Sequence, residues 1–218
     1  MRRTTCAPPL TILRGELEGL AEEPKLGPEL RERAASLLDE VVHLSDIVEQ
    51  LFTLSSLDTG EMQTGWTIFD LAELCQSTVE QMNLLAVDKG IAISCRSSHP
   101  VSVRGNRVRL KQLVVNPLDN AIKYTAGRGA IELRVDSVAG SAVLEVEDHG
   151  MGILDEALPY IFERFYRVDA ARSGESEGAG LGLSIAKAIC SARRADVQVR
   201  SVLGQGSCFR VTLPLAED

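Results

Sequence analysis

The sequence predicts a protein of α+β class: a two-layer α/β sandwich preceded by an antiparallel helical hairpin. Between residues 10 and 51, apolar side chains recur in alternating steps of three and four, the period of an amphipathic helix. Beyond residue 66 the pattern changes to short runs of alternating apolar and polar residues, interleaved with further helical stretches. Because those runs fall in adjacent pairs, the sheet is expected to be largely antiparallel with its helices in one layer.

In the hairpin, Leu10, Leu13, Leu17 and Leu20 mark the first seam. Leu30, Ala34, Leu37, Val41, Leu44, Val48 and Leu51 mark the second, about three heptads long. "EEPKLGPE" lies between them, and Pro24, Gly27 and Pro28 end one helix and start the next. A lone hairpin buries only one seam, so residues 9–57 are expected to form a four-helix bundle with a second copy, a homodimer. Packing of the seam against the C-terminal part of the same chain is the alternative. The second helix can run from Pro28 to about Leu57, about 45 Å at ~1.5 Å per residue, and the first has under half that length. The far half of helix two is left without a partner, so the sequence reads as truncated on its N-terminal side.

The expected domains are therefore a helical hairpin over 1–60 and an α/β domain over 66–218. In the latter, Asp70 can cap a helix running to about Asp88, with Gly90 ending it. Ile91–Cys95 reads as a strand and Arg107–Tyr124 as a helix. Residues 130–137 and 141–148 form a hairpin around "VAGS". Residues 155–165 read as a helix, followed by a polar loop and a helix over 181–192. Strands 196–202 and 207–213 turn on "LGQG".

Composition excludes several functions. A net charge of −8 argues against nonspecific binding to nucleic acid or anionic membrane. No apolar stretch is long enough to span a bilayer, and no secretory signal follows Met1, so a cytoplasmic chain is expected. The five cysteines are odd in number, scattered and without a C-x-x-C pair, which fits reduced thiols. The three histidines show no metal-ligand spacing.

The chemistry gathers around "SEGAGLGLSIAKAI", where Gly178, Gly180 and Gly182 run into an apolar helix. Such a loop can present backbone N–H groups to an anion at the positive end of a helix. It is neither of two common phosphate loops. A dinucleotide loop needs a third glycine where Leu183 stands and a strand before it, and a P-loop needs a lysine that is absent. On the 107–124 helix, Asn116, Asn120 and Lys123 lie at i, i+4 and i+7 on one face. "DHGMG" then sets Asp148 beside Gly150 and Gly152, and "IFERFYR" places Phe162, Phe165 and Tyr166 ahead of Arg167. Singly, these read as a solvated helix face, a turn and a core helix with a surface tail.

Together and in this order they closely resemble the ATP-binding domain of bacterial two-component sensor histidine kinases. "NPLDNAIKYT", "DHGMGI", "IFERFYRVD", "GAGLGLSIAKAI" and "LGQGSCFRVTLP" match that family's asparagine, first glycine, phenylalanine, second glycine and C-terminal glycine motifs. The resemblance covers residues 66–214, and residues 9–57 resemble the family's dimerisation hairpin. It implies the Bergerat (GHKL) fold, shared with type II topoisomerases, heat-shock chaperones and mismatch-repair ATPases. It also implies phosphoryl transfer from ATP with Mg²⁺, and as partner a response-regulator receiver domain or a partner kinase. The chain would then be cytoplasmic, or the cytoplasmic part of a membrane-bound sensor.

The roles implied by the resemblance agree with side-chain chemistry. Asn120 would offer its carbonyl oxygen to Mg²⁺, a hard ion that prefers oxygen ligands. Asn116 would hydrogen-bond nearby, Lys123 would meet phosphate oxygens and Tyr124 would pack beside the nucleotide. Asp148 would accept the adenine amino hydrogen, and Gly150 and Gly152 would let the base approach the backbone. Arg167 would reach the γ-phosphate. Gly178, Gly180, Leu181 and Gly182 would form the phosphate-facing edge of the lid.

The sequence departs from the family pattern in three places. Pro117 sits inside the asparagine helix, which removes a hydrogen bond and disfavours helical geometry at Asn116. "SARRADV" replaces a histidine-glycine-glycine helix end. Counting back from Pro9 in the family's H-E-x-x-x-P acceptor motif puts Thr4 at the histidine position and Thr5 at the acid position. Threonine is a poor nucleophile without a base, so no self-phosphorylation on histidine is expected. A non-catalytic ATP-binding pseudokinase and a different ATPase or serine kinase on the same fold are the alternatives.

Overall fold

The computed structural model describes residues 8–23, 26–58, 65–168 and 178–216. The chain divides into two compact units, residues 1–55 and 56–218. The first holds α1 (Pro8–Ala21) and most of α2 (Pro28–Asp58), of 14 and 31 residues. Pro28 opens α2, where its missing N–H costs nothing, and Glu29 places an acid in the first turn. The connection is held by Arg31, whose guanidinium donates to the carbonyls of Glu23 and Leu26. Ala34 is buried, whereas Leu30, Leu37, Leu44 and Leu51, seven residues apart, are 40–57% exposed. A leucine stripe on one side of α2 is therefore uncovered within the single chain.

The second unit opens with β1 (Thr67–Asp70), α3 (Leu71–Asp88), β2 (Ala92–Ser97), β3 (Ser102–Gly105) and α4 (Arg107–Tyr124). There follow β4 (Ala130–Val138), β5 (Ser141–Asp148), α5 (Gly182–Ala192), β6 (Asp196–Val202) and β7 (Gly206–Pro214). The five-stranded sheet has the order β2-β4-β5-β7-β6, parallel between β2 and β4 and antiparallel elsewhere. Helices α3, α4 and α5 pack against it. Asp70 caps α3 as expected: its Oδ1 accepts from the N–H of Ala72 and also from that of Val101, both at 2.9 Å.

Strand periodicity separates the two faces of the sheet. Leu133, Val146, Phe209 and Val199 lie in one cross-strand row, and Val135, Leu144, Val211 and Val197 in the next. The row beyond Leu133 and Val146 pairs Ile131 with Asp148 and Asp148 with Ser207. Asp148 thus has the parity of the apolar rows, which is why this carboxylate is only 6% exposed. The opposite face carries an ion-pair lattice. Arg96 meets Glu132 at 2.8 Å, Arg210 meets Glu145 at 3.4 Å, and Arg134 bridges Glu132, Glu145 and Glu147. A charged outer face needs no third layer.

Two expectations are corrected. Residues 155–165 are not a helix but successive turns, with i→i+3 bonds from Ala157 to Leu154, Tyr160 to Ala157 and Glu163 to Tyr160. Pro159 has no N–H to give and disfavours helical geometry at Leu158, so apolar spacing alone misleads there. The sequence reading also omits β1 and β3, which pair Thr67–Asp70 with Ser102–Gly105 in a separate two-stranded sheet.

Candidate functional site

The face of α4 is the starting point. Pro117 is buried within the helix and α4 stays continuous from Arg107 to Tyr124, so the proline does not break it. Asn106 caps it, its Oδ1 accepting from the N–H groups of Val108 and Arg109. Asn116 projects to α5, its Nδ2 donating to the carbonyl of Gly182 at 2.7 Å. The side chain whose role Pro117 put in question therefore fixes the first turn of α5.

Lys123 extends from the same face, and its Nζ lies 3.6 Å from where a β-carbon on Gly178 would stand. Nζ is also paired with Oδ2 of Asp119, one helical turn earlier, at 2.7 Å. On an ideal helix, positions 116, 119, 120 and 123 fall within an arc of about 100°. Sequence reasoning passed over Asp119, although the i, i+4 spacing of a carboxylate and a lysine was a visible signal.

The C-terminus of α4 meets the loop after β5. The Tyr124 carbonyl accepts from Met151 N–H at 3.1 Å, and the Tyr124 side chain is exposed. In that loop, Gly150 N–H donates to Asp148 Oδ1 at 2.8 Å. Burial pushes the Asp148 carboxyl above its ordinary range, opposed by hydrogen bonds from the backbone of Gly150 and Ser207 and by the neighbouring His149. The contribution of Ser207 also escaped the sequence reading. Gly152 has φ +68°, and a β-carbon there would stand 2.2 Å from the Val202 carbonyl oxygen, so glycine is required.

The glycine loop packs on the aromatic segment. Phe165 N–H donates to the Gly180 carbonyl at 3.1 Å, and a β-carbon on Gly180, at φ +69°, would meet the Tyr166 carbonyl at 2.8 Å. Phe165 itself adopts φ +64°, uncommon for a bulky residue. Leu181 is buried at the start of α5 and makes no side-chain cap, leaving that helix end to its backbone N–H groups. Asn116, Asn120, Lys123 and Tyr124 on α4, Asp148, Gly150 and Gly152 at the end of β5 and after it, and Gly178, Gly180, Leu181 and Gly182 at the α5 entry thus belong to three segments that the Asn116–Gly182 and Tyr124–Met151 hydrogen bonds join. Arg167 is exposed in the segment after Phe165. Thr4 and Thr5 lie outside the described residues.

Among the described residues, no three or more His, Cys, Asp or Glu side chains gather as a metal cage. On the α4 face Asn116, Asp119 and Asn120 each carry a side-chain oxygen, the hard donor type that suits Mg²⁺. The thiols of Cys75 and Cys190 are buried, and desolvation pushes the latter up to about 12.

Residues 105–217 match the family described as histidine kinase-, DNA gyrase B- and HSP90-like ATPases, and residues 8–60 match the His Kinase A (phospho-acceptor) domain. The sensor histidine kinase RppB of Synechocystis is 34% identical over 95% of this chain, which covers 46% of RppB. The sensor protein SrrB of Staphylococcus aureus is 30% identical over 96% of the chain, covering 36% of SrrB. The chain therefore spans less than half the length of these relatives. Among solved structures, full-length ShkA in complex with AMPPNP aligns over 95% of this chain and 44% of its own, with TM-score 0.81 and 30% identity. The Acinetobacter baumannii histidine kinase AdeS aligns over 96% of both chains, with TM-score 0.70 and 26% identity. With both domains matched in order, the chain belongs to the sensor histidine kinases of two-component systems.

Proposed function

We propose that this chain is the ATP-binding phosphotransferase core of a two-component sensor, working as a homodimer. One observation carries the reading: the α4 face, the buried Asp148 and the glycine loop converge through Asn116 to Gly182, Lys123 to Gly178 and Tyr124 to Met151. The ShkA structure it resembles is described as an AMPPNP complex, which supports a ligand of the ATP type.

In this reading Asp148 accepts the adenine amino hydrogen, and Gly150 and Gly152 leave the base room against the backbone. Tyr124 packs beside the nucleotide. Asn120 ligates Mg²⁺, which when bound supplies positive charge to the phosphate oxygens. Lys123 and the N–H groups at Gly180, Leu181 and Gly182 hold the phosphates, and Arg167 stabilises charge on the γ-phosphoryl group as it transfers. Asn116 acts by holding α5 in register with α4. The leucine stripe of α2 supports dimerisation through residues 9–57.

The acceptor position is the exception. Thr4 stands where the motif places histidine, with Thr5 in place of the acid. His149 is committed elsewhere, its Nδ1 bonded to the Ala130 carbonyl at 3.1 Å. This favours a core that binds ATP but does not label itself on histidine, and that acts on a partner kinase or alongside a response-regulator receiver domain. Among the described residues no helix is long and apolar enough to cross a membrane. Incubation with γ-labelled ATP, with and without a separate intact acceptor domain, tests the proposal. Label only on the added acceptor domain is expected, and acid-labile label on this chain alone refutes the acceptor assignment.

A further inference from the structure

We infer that Asp119 sets the selectivity of the site for metal-bound over metal-free nucleotide, through its ion pair with Lys123. The inference rests on the nucleotide reading above. Asp119 shares the α4 face with Asn116, Asn120 and Lys123, and its Oδ2 holds Lys123 Nζ at 2.7 Å. Neither side chain is fully exposed: Asp119 is 40% accessible and Lys123 30%, so solvent screens the pair only in part. The ammonium held in this way is the one that reaches Gly178.

Charge on this face then decides which ligand is preferred. The lysine and the aspartate cancel formally, so the face offers little net attraction to a bare triphosphate of about four negative charges. Coordination of a divalent cation lowers that to about two. At a separation of about 6 Å in a water-like dielectric, a carboxylate would repel the two additional charges of the metal-free form by an amount equivalent to roughly a tenfold difference in affinity. Asp119 is thus a positioning residue that fixes where the ammonium stands and keeps its charge from capturing nucleotide without metal.

The test is the ratio of AMPPNP dissociation constants in excess EDTA and in excess Mg²⁺, measured by calorimetry on the full chain. Asp119→Asn is expected to lower this ratio about tenfold, chiefly through tighter metal-free binding, and Asp119→Glu to restore it. Lys123→Gln, which leaves the carboxylate uncompensated, should raise the ratio. A purely structural role would change both constants together. Equal changes in both forms, or an unchanged ratio in Asp119→Asn, overturn the inference while leaving the nucleotide site standing. Absence of wild-type binding in excess Mg²⁺ overturns both. Should Asp119→Asn fail to fold, Asp119→Ser gives the same reading of the ratio.

Discussion

Substituting Asp148 with asparagine separates the binding of adenine from the stability of the fold. The carboxylate lies at the end of an apolar cross-strand row and is 6% exposed, and desolvation raises its pKa above the ordinary 3.8. A carboxyl whose pKa is higher folded than unfolded contributes stability that is fully present below the unfolded pKa. That contribution is lost as pH rises through the folded pKa. At neutral pH the ionised Asp148 is therefore a cost to the ligand-free fold, and Asp148→Asn should melt no lower than wild type. Binding goes the other way. In the proposed site the ionised carboxylate would accept from the adenine amino group, a hydrogen bond to a charged partner worth about 1.5–3 kcal/mol, so the asparagine variant should bind ADP roughly 10- to 100-fold more weakly. Inosine diphosphate, with a carbonyl in place of that amino group, should bind the variant more tightly than wild type, because the amide can donate to that carbonyl and the carboxylate cannot. Calorimetric titration of both nucleotides, with thermal melts of the free proteins, makes the comparison. Equal ADP affinity in variant and wild type would refute the role of Asp148.

Three further outcomes follow from the geometry. Asn120→Ala should abolish the Mg²⁺-dependent part of the thermal stabilisation given by AMPPNP while leaving the free protein's melting point within about 2 °C of wild type, since a surface truncation costs little. Gly152→Ala places a β-carbon 2.2 Å from the Val202 carbonyl oxygen at φ +68°, and should cost about 1–3 kcal/mol in denaturant unfolding. Leu44→Glu puts a charge in the middle of the exposed stripe of α2 and should shift the chain to monomer in sedimentation at micromolar concentration; an unchanged sedimentation coefficient would place the dimer contact elsewhere.

What the sequence revealed was whatever local physics alone determines. The helices α1, α2, α3, α4 and α5 were readable because each has a cap, a breaker or a clean apolar stripe, as with Asp70 before α3 and Pro28 opening α2. The β4–β5 hairpin was readable from its alternation, and its turn places Ala139 and Gly140 both at positive φ. The strand β1 was not: "TIFD" is four residues long without alternating burial, and it exists because β3 pairs with it from more than thirty residues away. The 155–165 segment failed for a different reason, since its apolar spacing suits a helix that Pro159 prevents. The site motifs were legible as a set, but their joins were not. The Asn116 bond to Gly182 spans 66 positions, and the bond between Phe165 and Gly180 forms only once the loop folds back.

Nucleotide binding itself is the most direct test of the account. Titration of the full chain with AMPPNP in excess Mg²⁺ should show saturable binding with one nucleotide per chain, competed by ADP and not by GTP, because the proposed site sets one Asp148 against one base. No saturable heat up to millimolar nucleotide, or equal competition by GTP, would contradict it.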